Sequence, residues 1–130
     1  MNKIAVFPGS FAPFTLGHQY ILERALPLFD KIIISIGINS DKSDYFPIEE
    51  REKWIKTIYS RNPKIEVKRY EELTVDFCAK IGAKYILRGL RNSNDFNYEK
   101  NIAQTNNDIN SDIETIFIIG STRISHISST

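Results

Sequence analysis

Short apolar runs rich in β-branched residues alternate along the chain with stretches whose apolar positions recur every three to four residues. This alternation marks βαβ units built around a parallel sheet. The strand-like runs are Lys3–Phe7, Lys31–Ile38, Lys64–Lys68, Lys84–Arg88 and Glu114–Ile119. Between the first two, His18–Phe29 sets Ile21, Leu22, Ala25, Leu28 and Phe29 on one helical face, and Pro27 is expected to bend or end its last turn. Pro47 suits the first position of a second helix, followed by Glu49, Glu50 and then Trp54, Ile55 and Ile58. Thr74–Ile81 reads as a short third helix closed by Gly82, and Ser93–Asn107 as a fourth. The polar stretch Asn106–Asp112 reads as a surface loop. The order βαβαβαβαβ predicts an α/β fold, a Rossmann-like parallel five-stranded sheet with helices on both faces. Right-handed crossovers then place the ligand crevice at the carboxyl ends of the strands, so function is to be sought in the residues just after each run.

At 130 residues, 42% of them hydrophobic and 12% aromatic, the chain has length for one core and not for two, which makes residues 1–130 a single domain. Seventeen basic residues against sixteen acidic ones leave a net charge near zero. No global field draws such a protein to nucleic acid or anionic lipid, so neither is expected as a partner, and any bound anion must be met locally. No apolar run approaches the length of a membrane span, and Met1-Asn2-Lys3 leads straight into the first strand without a leader pattern, so the expected location is cytoplasmic. The lone cysteine, Cys78, lies in the apolar run 75–79 and reads as an inert residue of a buried helix face.

Chemistry concentrates after three of the strands. The first is followed by Phe7-Pro8-Gly9-Ser10-Phe11-Ala12-Pro13-Phe14-Thr15-Leu16-Gly17-His18, a loop that delivers a histidine to a helix start. Free N–H groups and the positive end of the helix dipole attract phosphate there, and His18 can donate to developing phosphoryl charge. The plainer alternative is a helix-start histidine satisfied by a backbone carbonyl. Neither the dinucleotide fingerprint nor the Walker A pattern is present. After the fourth strand, Arg88-Gly89-Leu90-Arg91 places two arginines where bidentate recognition of phosphate oxygens is possible, against the alternative of a solvated basic turn. After the fifth, Ile124-Ser125-His126-Ile127-Ser128-Ser129-Thr130 supplies hydroxyls that suit a polyphosphate or an ordinary helix cap. Lys42, after the second strand, is a further phosphate candidate, though it suits a solvated surface equally well. Three such loops at one sheet edge outline a pocket for a nucleoside triphosphate and a second phosphate.

Pro-Gly-Ser-Phe at 8–11, Thr-x-Gly-His at 15–18, Arg-Gly-Leu-Arg at 88–91, Asp95-Phe96-x-Tyr98-Glu99 and Ile127-Ser128-Ser129 together resemble the bacterial phosphopantetheine adenylyltransferase family. The Thr-x-Gly-His element alone indicates the wider nucleotidyltransferase superfamily, which includes nicotinate-mononucleotide adenylyltransferases and cytidylyltransferases. The resemblance covers the whole chain and implies a Mg2+-dependent transfer of AMP from ATP to 4′-phosphopantetheine. The products are dephospho-coenzyme A and pyrophosphate, in coenzyme A biosynthesis. It further implies dephospho-coenzyme A and coenzyme A as product or feedback ligands, a homohexamer, and a C-terminal helical segment in the family beyond the position of Thr130. Carried over by position, His18 would stabilise the transition state. Ser10, Phe11, His18, Gly89, Leu90, Arg91 and Glu99 would contact ATP, with residues 124 to 130 around its β- and γ-phosphates. Ser10, Lys42, Thr74 and Arg88 would meet the acceptor. No side chain is expected to form a dedicated metal site. At position 12 the family usually carries aspartate, and this chain has Ala12. The competing readings are a nucleotidyltransferase with another phosphorylated acceptor and a nucleotide-binding module without turnover.

Overall fold

The computed structural model describes residues 2–38, 46–91 and 93–120. Five parallel strands, β1 (Ile4–Gly9), β2 (Lys31–Gly37), β3 (Ile65–Tyr70), β4 (Tyr85–Leu90) and β5 (Glu114–Ile119), form one sheet in the order β3-β2-β1-β4-β5. The helices α1 (Leu16–Ala25), α2 (Ile48–Ile58), α3 (Thr74–Ile81) and α4 (Ser93–Ile109) make the crossovers. Alternation along the strands divides the core. Ala5, Phe7 and Leu87 face α1 and α2, where Leu22, Ala25 and Ile55 cover them. Val6 and Ile86 face the other way and are covered by Val75, Phe77 and Cys78 of α3. Cys78 is fully buried, and burial pushes its thiol up to about 11, which suits the inert role.

Local chemistry accounts for the element boundaries. Thr15 caps α1, so the helix begins at Leu16, earlier than the apolar periodicity alone indicates, and a 3-10 turn at Leu26–Leu28 around Pro27 ends it. Pro47 is the N-cap of α2, with extended ψ, one position before the expected helix start. Gly82 closes α3 in the left-handed conformation at φ 78°. The reading of Asn106–Asp112 as a loop is corrected: α4 continues to Ile109, and the turn begins only at Asn110. Polar composition there reflects an exposed helix end.

Chain order reverses between β1 and β4, the switch point at which parallel sheets open a ligand crevice. Paired residues between these strands are Ala5 with Tyr85 and Val6 with Ile86, although the strands continue to Gly9 and Leu90. Past Val6 and Ile86 the two strands therefore part.

Candidate nucleotide-binding site

A cavity of 510 Å³ lies at this opening, lined by the end of β1 and the loop after it from Phe7 to Pro13, by Thr15, by Gly17, His18, Tyr20 and Ile21 of α1, by Arg88–Arg91, by Asp95 and Glu99 of α4, and by Gly120. Of the residues singled out in the sequence, Ser10, Phe11, His18, Arg88, Gly89, Leu90, Arg91 and Glu99 meet there. Thr74 lies beyond, in two adjoining recesses. Lys42 and residues Ile124 to Thr130 fall outside the described residues.

His18 is held from both ends of its helix turn. Its backbone N–H donates to Thr15 Oγ1 at 3.3 Å, while the Thr15 backbone N–H donates to His18 Nδ1 at 2.9 Å. This is a capping box in which histidine replaces the usual acidic residue. The ring stacks on Phe14 at 5.3 Å and meets Phe11 edge-on at 4.9 Å. Burial first, then the positive charges of Arg88 and Arg91, push its pKa down to about 4. Near neutral pH His18 is an uncharged imidazole; its accepting Nδ1 leaves the proton on Nε2.

Phe11 carries an unusual backbone, φ +49°, in a residue whose ring is 2% exposed. A left-handed conformation at a bulky residue costs about 1 kcal/mol, so packing of the ring must hold it. Its ring contacts Phe7, Phe14 and His18.

Arg88 spans the gap between the parted strands. Its Nη1 donates to the Pro8 carbonyl at 3.0 Å, and its Nε and Nη2 form a fork with the two oxygens of Glu99, each at 2.8 Å. Glu99 is 8% exposed, and its hydrogen bonds raise the pKa of Arg88 further against the opposing effect of burial. Among the described residues three of its five guanidinium N–H groups are engaged, which leaves two for a ligand. Arg91 is held separately, its backbone N–H and Nε both donating to Asp95 Oδ2 at 3.2 and 3.3 Å.

A narrower recess of 140 Å³ opens on the α3–α4 side of Arg88, between Tyr70, Thr74, Ile86, Ile102, Ala103 and Asn106. Tyr70 Oη lies 3.0 Å from Thr74 Oγ1. Sequence reasoning missed Tyr70, Asn106 and Arg51. Tyr70 ends β3, two residues past the expected end of that run, so a strand boundary drawn later would have found it. Asn106 shares a helical face with Glu99, Ile102 and Ala103, a spacing hidden by the loop assignment. Arg51 is a buried arginine of α2 for which no motif gave a signal.

Among the described residues, no three His, Cys, Asp or Glu side chains form a metal-holding group, and no helix is long and apolar enough to cross a membrane.

A parallel sheet with a glycine-containing β1–α1 loop and a histidine at the start of α1 defines the nucleotidyltransferase class, and the sequence model of the cytidylyltransferase-like family matches residues 6–130. Curated relatives narrow this. A phosphopantetheine adenylyltransferase of Flavobacterium psychrophilum is 52% identical over 96% of this chain and 82% of its own, and one of Bacteroides thetaiotaomicron is 48% identical over 97% and 83%. The chain belongs to the phosphopantetheine adenylyltransferase family. Solved structures agree on the fold. A bifunctional NMN adenylyltransferase/ADP ribose pyrophosphatase from Francisella tularensis superposes with a TM-score of 0.71 at 19% identity, over 93% of this chain and 39% of that one. A lipopolysaccharide core biosynthesis protein from Thermoplasma volcanium gives 0.65 at 16% identity, over 93% and 98%.

Proposed function

We propose that this enzyme transfers AMP from ATP to 4′-phosphopantetheine, giving dephospho-coenzyme A and pyrophosphate, a step of coenzyme A biosynthesis. The observation that carries this reading is Arg88, which borders both the large cavity and the narrow recess and keeps two N–H groups for a phosphate at their junction. The large cavity suits ATP, with Ser10, the Phe11 N–H, Gly89, Leu90 and Arg91 around it. The recess suits the pantetheine arm, since Ile102 and Ala103 flank polar groups of Thr74, Tyr70 and Asn106 that match amides. Lys42 would join Arg88 at the acceptor phosphate, and residues 124 to 130 would enclose the β- and γ-phosphates.

An oxygen of the acceptor phosphate attacks the α-phosphorus. One P–O bond forms there, and the bond to the β-phosphate bridge breaks, its electron pair leaving with pyrophosphate. The nucleophile is already an anion, so the protein's task is in-line positioning and charge neutralisation, with no covalent intermediate. His18 donates from Nε2 to oxygens that gain charge. Glu99 works through Arg88, whose guanidinium it orients.

With magnesium bound to the nucleotide, the ion would neutralise charge on the phosphates, and no protein side chain would need to hold it. This fits a donor set in which Asp95 and Glu99 hold arginines. Homohexameric assembly is supported by the exposed Phe96, Ile102 and Ile109 of α4 and Ile119 of β5, which leave an apolar surface to cover. Coenzyme A, which shares the product's adenylate and pantetheine parts, is proposed as a feedback ligand of the same pocket, and the location as cytoplasmic.

A pyrophosphate-release assay with ATP, magnesium and 4′-phosphopantetheine tests the reading. Release should require all three. Release with nicotinate mononucleotide in place of the pantetheine acceptor, and none with the latter, would reject it.

A further inference from the structure

Arg51 sits in the first turn of α2, remote in sequence from every phosphate loop, yet is only 5% exposed. Its Nη1 donates to the Ser10 carbonyl at 2.5 Å and its Nε to the Phe46 carbonyl at 3.0 Å. Burying a guanidinium is unfavourable unless its bonds are well made, so a buried arginine that spends donors on loop carbonyls determines how those loops lie.

The Ser10 carbonyl belongs to the peptide that leads into Phe11, the residue at φ +49°. That peptide is trans, and in a trans peptide the C=O and N–H point in opposite directions. Drawing the Ser10 oxygen toward Arg51 therefore turns the Phe11 N–H away from it. Among the described residues no acceptor takes this N–H, while Ser10 and Phe11 both line the large cavity. An orphan backbone donor at the mouth of a helix start is an anion-binding group.

We propose that Arg51 is a positioning residue for nucleotide binding: by holding the Ser10 carbonyl it sets the Ser10–Phe11 peptide so that the Phe11 N–H faces the nucleotide phosphates. The strained φ of Phe11 is then functional. The buried ring anchors one side of the turned peptide and Arg51 the other. The bond to Phe46 ties the same arginine to the segment that enters α2, so the β1–α1 loop and that segment are set together.

This inference rests on ATP being the ligand of the large cavity. In the full chain, Arg51→Met keeps the length of the side chain and removes the donors; Arg51→Lys keeps a charge that can serve one carbonyl. Calorimetric titration with ATP should show at least tenfold weaker binding by Arg51→Met and an intermediate loss in Arg51→Lys. In 15N-labelled protein the Phe11 amide proton should move on ATP addition in the parent and fail to move in Arg51→Met. A merely structural arginine would lower thermal stability but leave that amide response in the folded fraction. ATP affinity within twofold of the parent in a folded variant, or an unchanged Phe11 response, overturns the proposal. Should Arg51→Met not fold, Arg51→Lys carries the same two measurements. A parent protein that itself binds no ATP rejects the assigned ligand, an outcome distinct from failure of the variants alone.

Discussion

The backbone N–H of Thr15 donates to Nδ1 of His18, while Thr15 Oγ1 accepts the N–H of His18 in return. The cap that starts α1 and the group that selects the imidazole tautomer are thus one arrangement, and the proton left on Nε2 is the one offered to the substrate. Glutamine can also serve at this position of a capping box. His18→Gln is therefore expected to preserve the helix start while turnover falls by about two orders of magnitude or more, the usual worth of one preorganised donor to transition-state charge. ATP affinity should change little. Turnover within threefold of the parent would remove His18 from the chemistry.

The lowered pKa of His18 makes stability depend on pH. Between about 4 in the fold and 6.5 unfolded, the unfolded chain binds the proton and the folded protein does not. Stability contributed by this group therefore rises as pH increases through that window and is fully present above it, by an amount on the order of 3 kcal/mol. Denaturant midpoints at about pH 4.5 and about pH 7.5 should differ more in the parent than in His18→Gln. Equal differences would mean that the ring takes up its proton as readily in the fold as in the unfolded chain.

Glu99 and Arg88 should behave as one unit. Arg88→Ala is expected to raise the Michaelis constant for the acceptor, because a phosphate clamp acts in the ground state too. Glu99→Gln breaks the fork at 2.8 Å and should move the same constant in the same direction. The double variant should cost clearly less than the sum of the two, the signature of residues that share an interaction. Additive effects, or a Glu99→Gln change confined to the ATP constant, would separate their roles.

Gly89 lies in the nucleotide cavity, but its missing side chain is required by packing. A Cβ there would come within 2.9 Å of Ile21 Cγ1 on α1. Gly89→Ala should lower stability by about 1–3 kcal/mol through overpacking. Adding Ile21→Ala should recover part of that loss, measured by urea unfolding. A Gly89→Ala protein as stable as the parent would show that α1 yields freely.

Ala12 borders the cavity that Arg88 and Arg91 also line. A carboxylate there, the residue usual in the family, adds a balancing charge and local hydrogen-bonding capacity that alanine lacks. Ala12→Asp is expected to raise kcat/KM or tighten a ligand in matched steady-state assays. Identical kinetics would make the position neutral in this chain.

Local periodicity in the sequence was enough to determine the order of strands and helices, the limits of α3 and β5, and the placement of His18 at a helix start after β1, because strand period, helix period and caps are written within a few neighbouring residues. Arg88 was expected after the fourth strand, but β4 runs on to Leu90 and holds it within the strand. The same logic failed at Asn106, where polar residues on an exposed helix end carry no more periodicity than a loop. What only the tertiary structure decided are pairings across long stretches of chain: Arg88 reaches Pro8 over 80 residues, and Arg51 reaches Ser10 over 41. In sequence Arg51 is indistinguishable from the charged residues around it on α2. It becomes distinct because the crossover after β2 seats α2 beside the end of β1, where the Ser10 carbonyl needs a donor. The parting of β1 and β4, and with it the site, likewise follows from the order β3-β2-β1-β4-β5, which no local pattern specifies.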